Sequence, residues 1–390
     1  MQIIHTKPAR APSRRVLLKL ATTTLLSAGA LPARAEPGIT ASEIQIGQNI
    51  TLMDGRNLYG VEVLAGMKAL FDEVNRNGGV LGRKISLRTL DDQNEPARAE
   101  ANARQLAKDG AFILFGSVEG GPSTAVMAVA NDLKLPFFGP LAGSPGLRRP
   151  TQPLVFVVRA EHRDEFQALM QHGLRVGLKR VALFHADSAG GREHLANVQK
   201  LTADIGMAFG GGVPFKSGIT DAELDAAVKQ LGEQKVDLVI NHGSAPLYER
   251  LIRRARAAGS RINFWGVNSG STPLAASLGP LAHGMVFAQV VPNPWAGKTA
   301  LVREYQRDYR KALPDAAFSY GSLEGYATAK ALVLALRSAG KQPTRASLLA
   351  ALQDFDADLG GLSVRYRQGA HTGSRFVDLA LVSREGRFVQ

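Results

Sequence analysis

The sequence of 390 residues contains no cysteine, and this absence removes three kinds of chemistry. A chain without thiols forms no disulfides, holds no metal through thiolates and has no cysteine nucleophile. The length suggests two domains that each bury a substantial core. Packing alone must therefore hold those cores together.

Aromatic residues are scarce, at 6%, and no run of basic residues is interleaved with them. The formal net charge is +13, but residues 1–35 carry six basic residues and no acidic one, which leaves +7 for the remainder. A nucleic-acid interface would concentrate basic residues on one face or along one helix. The charge instead fits a moderately basic surface that favours anionic ligands, and we expect no nucleic-acid partner.

Long apolar runs are also missing, so no segment is predicted to cross a membrane. Ser13–Lys19 reads SRRVLLK and looks like a twin-arginine export signal. The short apolar segment Leu20–Leu31 and the small-x-small site Ala33–Ala35 follow it. We predict that residues 1–35 are a signal peptide read by the twin-arginine translocase. Cleavage near Ala35 would release the protein into a bacterial periplasm. A short membrane anchor or a disordered basic tail is the alternative interpretation.

The stretch from Tyr59 to Asp92 is the most informative part of the chain. Apolar residues recur at helical spacing on one face: Val63, Leu64, Met67, Leu70, Phe71 and Val74. Gly78 and Gly79 follow where a helix commonly ends. An alternating segment then leads to a pair of carboxylates, Asp91 and Asp92. Helix, glycine stop and strand make half of a βαβ unit.

The residue pattern of this stretch resembles that of the amino-acid and amide receptor family of periplasmic solute-binding proteins, the leucine/isoleucine/valine-binding type. The residues in register are Gly60, Gly66, Ala69, Asn75, Gly78, Gly79, Gly82, Arg83, Asp91 and Asp92. The resemblance covers about residues 40–385. It is stronger in the first half of the chain than in the second.

Strand and helix patterns alternate along the rest of the chain and restart near residues 157–161. Two such series predict an α/β fold with two doubly wound, Rossmann-like lobes. The resemblance implies the type I arrangement, in which a three-stranded hinge joins the lobes and lets them close on a ligand. The predicted first lobe comprises residues 40–158 and 290–353. The predicted second lobe comprises residues 159–289 and 354–390.

Ligands of open α/β sheets bind beyond the carboxyl ends of the strands. The resemblance places a ligand against the loops at those ends. The predicted ligand-binding residues are Tyr59, Gly120, Gly121, Leu141, Ala142, Gly143, Gly190, Ser244 and Asn268. Gly120 and Gly143 fall where the amino-acid binders hold the α-carboxylate, and Asn268 falls where they place the acid that pairs with the α-ammonium. For the glycines, turn geometry alone is an equally good explanation.

The family pattern departs here at the ammonium position, because an amide replaces the expected acid. A buried ammonium without a carboxylate partner costs several kcal/mol. We therefore expect a neutral or anionic ligand, such as a carboxylate or an aromatic acid. Three nearby acids could still supply the missing charge: Asp54, Glu119 and Asp187.

The resemblance implies a monomeric, non-enzymatic subunit that delivers a small molecule to the membrane permease of an ABC transporter and needs no cofactor. A periplasmic sensor for a membrane receptor is the alternative. Two weaker patterns lie around residues 185–194. Ala186–Gly190 imitates the nucleophile elbow of a serine hydrolase around Ser188. A loose set of metal-ligating residue types comprises His185, Asp187, Glu193 and His194. No G-x-G-x-x-G pattern follows a strand, which argues against a nicotinamide enzyme.

Overall fold

The first βα series forms a parallel sheet, as its buried apolar strands predict. The computed structural model describes residues 2–3, 36–216 and 218–389, so the predicted export signal lies almost wholly outside the described residues. The strands are β1 (Glu43–Ile50), β2 (Lys84–Asp91), β3 (Ile113–Phe115), β4 (Phe137–Phe138) and β5 (Val155–Phe156). The helices between them are α1 (Leu58–Arg76), α2 (Pro96–Lys108) and α3 (Gly120–Leu133). The strand order is β2-β1-β3-β4-β5.

The second series repeats this alternation. Its strands are β6 (Arg180–Ala186), β7 (Ala208–Phe215), β8 (Leu238–His242), β9 (Asn263–Gly266) and β10 (Val286–Gln289). Its helices are α4 (His162–Arg175), α5 (Ala189–Ile205), α6 (Asp221–Glu233), α7 (Ala245–Ala257) and α8 (Ser271–Leu278). The sequence pattern predicts that α4 begins at Asp164. The helix begins two residues earlier because Glu161 and Asp164 form a capping box around its first turn.

The chain after β10 adds helices first and strands afterwards. The helices are α9 (Ala300–Ala312), α10 (Tyr320–Ser338) and α11 (Arg345–Gln353). The strands are β11 (Asp356–Asp358), β12 (Ser363–Arg367), β13 (Ala370–Gly373), β14 (Asp378–Val382) and β15 (Phe388–Val389). The second sheet has the order β15-β14-β10-β9-β8-β6-β7, in which β14 and β15 are antiparallel additions at one edge. A small antiparallel sheet comprises β11, β12 and β13.

The chain passes between the two large sheets three times: after β5, after β10 and before β14. This is the two-lobed arrangement that the sequence predicts. In the described part of the chain, no helix is long and apolar enough to span a membrane.

The lobe assignment of the C-terminal residues differs from the prediction, which places residues 354–390 in the second lobe. Phe355, Leu362 and Tyr366 belong to the same buried core as β1 and α1. The β13 strand also borders β5, where Val157 N donates to His371 O at 3.3 Å. The apolar face of the small sheet, which includes Val364 and Tyr366 of β12, is buried in the core of the first lobe. Only the chain from about Asp378 onward joins the second sheet.

Helices α1 and α10 approach each other closely because glycines lie at their contact. A Cβ on Gly66 of α1 would lie 1.8 Å from Ser322 O of α10, and a Cβ on Gly325 of α10 would lie 2.1 Å from Val63 O of α1. Both distances are far inside van der Waals contact. Any side chain at either position would push the two helices apart.

We therefore expect Gly66→Ala to lower the free energy of unfolding by about 1–3 kcal/mol, the usual cost of overpacking a core. Gly232→Ala is the matched control, because Gly232 is also helical but has open space at its Cβ position. The control should leave stability unchanged or slightly raised, since alanine favours helix more than glycine does. Urea denaturation of both variants measures this. Equal midpoints for the two variants would contradict the close-packing argument.

Candidate functional site

The carboxyl-terminal ends of the parallel strands in both sheets meet at one place. The segment after β9 contacts α10, which packs in the first lobe, through a hydrogen bond from Asn268 Nδ2 to Glu324 Oε2. Arg159 Nη1, just after β5, donates to Ser269 Oγ at 3.0 Å. Tyr320 N donates to Thr272 Oγ1 at 3.3 Å. Polar contacts therefore join the two lobes at the edge where α/β sheets bind ligands.

Three buried charges form the centre of this region, and we call Arg159, Glu165 and Glu324 the central ion network. Arg159 Nη2 donates to Glu165 Oε1, and Arg159 Nε lies 3.5 Å from Glu324 Oε1. The three side chains are at most 2% exposed. They come from the first crossing, from α4 and from α10, so the network links the lobe-joining segment to both lobes.

Tyr59 and Asn268 donate further hydrogen bonds to the carboxylates. Tyr59 Oη donates to Glu324 Oε2 at 2.8 Å, and Asn268 N donates to Glu165 Oε2 at 2.7 Å. Burial raises the pKa of Glu165 and of Glu324, and the charge of Arg159 opposes that rise. Burial also raises the pKa of Tyr59, helped by the charge of Glu324, so the phenol is a hydrogen-bond donor at neutral pH.

Beside the network lie three imidazoles in mutual contact, which we call the histidine cluster: His162, His194 and His242. The ring centroids are 5.3 Å apart for His162 and His194, 4.9 Å for His162 and His242, and 3.8 Å for His194 and His242. The rings come from the first turn of α4, from α5 and from the end of β8. Three segments distant in sequence therefore converge on one point.

Burial is the main cause of the low pKa values in the histidine cluster. It lowers the pKa of His194 to about 3, with Arg148 as the next contributor. Burial lowers the pKa of His162 and of His242 well below the ordinary value, and the charge of Arg159 adds to both shifts. The three rings are therefore neutral at pH 7.

Many of the buried polar atoms without a hydrogen-bond partner lie in this region. Among the described residues, these atoms are both ring nitrogens of His194, Nδ1 of His242, Oδ1 of Asn241, Oδ1 of Asn268, Oε1 of Glu324 and Nε of Arg148. Leaving a buried polar group unpaired costs about 1–3 kcal/mol. Their concentration at one edge marks it as a site at which a bound molecule would supply the missing partners.

Five of the predicted binding residues lie around this centre. Tyr59 and Asn268 contact Glu324, while the carbonyls of Leu141 and Ala142 accept from Arg159 and Arg148. Gly143 packs on His162, where an added Cβ would lie 2.5 Å from the ring. Turn geometry alone therefore does not explain Gly143, because any side chain at this position would clash with the His162 ring.

The other four predicted residues have different surroundings. Gly120 begins α3 beside Ser144 Oγ, and Gly121 faces Pro96 of α2. Ser244 caps α7 by accepting from Leu247 N, and Gly190 lies in the first turn of α5 with open space at its Cβ position.

The acid beside Asn268 is Glu324, which the sequence patterns did not indicate. Asp54 is exposed, and Glu119 accepts a hydrogen bond from Asn57 Nδ2 at 3.3 Å. Asp187 pairs with Arg192 and Lys216 at the surface. Glu324 instead contacts Asn268 directly. The argument that a ligand amino group would lack a carboxylate neighbour therefore does not hold.

A signal for Glu324 was present in the sequence. It is the only acid in α10, a helix whose residues are mostly apolar or small, and an acid in a buried helix requires a partner. Arg159 carried a similar signal, because it directly follows the apolar run of β5. Neither residue follows a recognisable motif, so the family resemblance alone did not identify them.

The two weaker patterns near residue 190 have structural explanations. Ser188 Oγ caps α5 by accepting from Gly191 N at 3.1 Å. His185 Nδ1 lies 3.0 Å from Ala186 O, and Asp187 is engaged at the surface. Within the described ranges, no group of three or more histidine, aspartate or glutamate side chains is arranged to hold a metal ion.

Cavity volume does not identify the same region. A surface cavity of about 710 Å³ is lined by α6, the segment before β8 and the segment between α7 and β9, including Val228, Lys229 and Ile262. None of its lining residues belongs to the central ion network or to the histidine cluster. The convergence of buried polar groups, rather than open volume, singles out the edge between the lobes.

Sequence and structure comparisons find proteins that are similar over most of the chain. A sequence model of the family described as periplasmic binding protein matches residues 43–387. The Leu/Ile/Val-binding protein BraC3 of Rhizobium johnstonii is 28% identical over 348 residues, which cover 86% of this chain and 89% of that protein. The members of this family are binding proteins, not enzymes.

Two solved structures show the same fold. The structure of a possible leucine/isoleucine/valine-binding protein from Rhodopirellula baltica SH 1 superimposes with a TM-score of 0.82 at 26% identity, covering 90% of this chain and 97% of that one. A solute-binding protein from R. palustris in complex with benzoate gives a TM-score of 0.76 at 17% identity, covering 89% and 95% of the two chains.

Removing the central cation should be strongly destabilising. Arg159→Met would leave two buried carboxylates without their counter-ion, and we expect a loss of about 3–5 kcal/mol in the free energy of unfolding. Arg254→Met is the control, because Arg254 pairs with Asp221 and Asp225 on the surface. The control should leave the thermal midpoint unchanged. Similar losses in both variants would show that the network is not a structural centre.

The histidine cluster should make stability depend on pH. The pKa of His194 is about 3 in the folded chain, against about 6.5 in an unfolded one. Between these values the unfolded chain binds more protons, so stability falls as the pH falls, by up to about 1.4 kcal/mol per pH unit for one histidine. His194→Gln should lose stability less steeply than the wild type between pH 6.5 and 4. His283→Gln, at an exposed position, should keep the wild-type slope. Parallel curves for all three proteins would refute the assignment.

Proposed function

The chain belongs to the family of periplasmic binding proteins, and from that premise we propose that it is the extracytoplasmic solute-binding subunit of an ABC importer. It captures a small molecule between two closing lobes and delivers it to a membrane permease. It reaches the periplasm through the twin-arginine translocase, loses residues 1–35 near Ala35 and acts as a monomer.

The observation that carries this proposal is the convergence of unpaired polar atoms where the lobes meet. Asn241 lies near the end of β8 and Asn268 follows β9, both strands of the second sheet, whereas Glu324 belongs to the helix packed on the first lobe. A molecule bound there would be held by both lobes at once. Its binding would therefore favour the closed arrangement over an open one.

The ligand is amino-acid-like, an amide or a carboxylate. Glu324 Oε1 and Asn268 Oδ1 have no hydrogen-bond partner among the described residues. Both atoms are acceptors and suit an N–H group. BraC3 is named as a Leu/Ile/Val-binding protein. An α-amino acid therefore stays in the candidate set, contrary to the expectation from Asn268 alone.

We assign the ligand contacts to the nine residues predicted from the sequence, and we add Glu324 to this set. Tyr59 acts through its hydroxyl, because its ring is buried in the first core. Leu141, Ala142 and Gly143 contribute backbone groups. Gly190 and Ser244 lie at the starts of α5 and α7 in the second lobe. The open space at the Cβ position of Gly190 leaves room for the ligand.

A thermal-shift screen of residues 36–390 tests the proposal. The panel comprises leucine, isoleucine, valine, their amides, benzoate and short dicarboxylates. A compound present at 100 times its Kd should stabilise the protein by about 2.7 kcal/mol, which raises the thermal midpoint measurably. Small-angle scattering should show a smaller radius of gyration with that compound, as the lobes close.

Glu324→Gln serves as the site variant and Glu385→Gln, at an exposed position, as its control. The site variant should weaken binding of any hit that carries an amino or amide N–H group, and the control should not. A panel that leaves the thermal midpoint unchanged throughout would contradict the proposed function.

A further inference from the structure

We propose that the histidine cluster and Arg148 together bind a carboxylate group of the captured molecule, and that this binding takes up a proton. The inference rests on the proposed function and specifies the chemistry of one end of the ligand. The three histidines and Arg148 are not among the residues that the family resemblance assigned.

The first support is the number of unpaired nitrogens that the cluster brings together. Both ring nitrogens of His194 and Nδ1 of His242 are buried and have no hydrogen-bond partner among the described residues. His162 differs, because its Nδ1 lies 2.8 Å from Glu165 Oε1. That contact fixes the ring and leaves Nε2 as the nitrogen available to a ligand.

The second support is a buried cation without a carboxylate partner. Arg148 is 4% exposed, and its guanidinium donates to the carbonyls of Ala142, Ser144 and Arg159 at 2.9–3.1 Å. It makes no ion pair within 4.0 Å in the described chain, and its Nε has no partner. A guanidinium in this state favours an anion nearby.

The other charged groups around the cluster do not pair with Arg148. Arg159 is engaged by Glu165 and Glu324 in the central ion network. The acids whose charge also acts on Arg148 are Glu161, which pairs with Arg149, and Asp164. His185 also faces His194 and His242. Arg148 is therefore the cation beside the cluster that has no acid within ion-pair distance among the described residues.

Proton uptake follows from the low pKa values of the cluster. Burial and the nearby arginines keep the rings neutral in the free protein. A carboxylate placed against them favours the imidazolium form, so the pKa of at least one ring rises on binding. The bound protein then holds more protons than the free one. Affinity for the carboxylate must consequently increase as the pH falls.

Matched acid and amide pairs test the inference in wild-type residues 36–390. The probes are benzoate with benzamide, 3-methylbutanoate with its amide, and leucine with leucinamide. Isothermal titration in two buffers of different ionisation enthalpy gives the number of protons exchanged. We expect the acid of a binding pair to bind at least about tenfold more tightly than its amide, as a hydrogen bond to a charged group implies. We also expect uptake of up to one proton and a Kd that falls from pH 8 to pH 6.

A variant pair localises the effect. His194→Gln should reduce the preference for the acid and abolish most of the proton uptake, while His283→Gln should retain both. Equal affinities for acid and amide, or binding without proton uptake, would overturn the inference while leaving the proposed function intact. The affinity ratio of acid to amide and the proton uptake are both measured in the wild-type protein. The inference can therefore be refuted even if the His194→Gln protein does not fold. Failure of every acid and amide to bind would contradict the proposed function and the inference with it.

Discussion

The ion pair between Arg159 and Glu165 is the interaction on which the arrangement of the two lobes depends. Two charges removed from water cost several kcal/mol each, and attraction offsets that cost only when the geometry is good and the remaining atoms are hydrogen-bonded. Leu141 O, Ser269 Oγ and Asn268 N meet those needs from both lobes. The first crossing is thus fixed in place by the electrostatics of its own residues.

The packing of Glu324 determines which lobe would hold one end of a ligand. Glu324 reaches the network from α10, and α10 packs tightly on α1 through glycines. The site therefore sits on a rigid first lobe, while Asn268 and the histidine cluster come mainly from the second. A molecule between them would meet the acceptors Glu324 and Asn268 in one part of the site and the imidazoles with the Arg148 guanidinium in another. Such an asymmetric site selects ligands by the order of their polar groups as well as by size.

Much of the fold was predictable because periodicity and strand burial are local properties. The helix after Tyr59, the strands of the first sheet and the restart near residue 160 follow from apolar spacing alone. The small sheet at β11–β13 was assigned to the wrong packing partner, since alternation shows that a strand has an apolar face but not what covers it. The early start of α4 was missed because a capping box with two acids is a weak signal beside a proline or serine cap.

The sequence by itself determined the class of fold, the loops that reach the ligand edge and the family to which the chain belongs, because each of these depends on residues close together in the chain. Only the tertiary structure decided which charges meet there. Arg159 and Glu324 are 165 positions apart, and His162 and His242 are 80 apart, so no spacing rule connects them. Buried ionisable groups acquire their roles from the partners that folding brings to them, and those partners are fixed by packing rather than by local pattern.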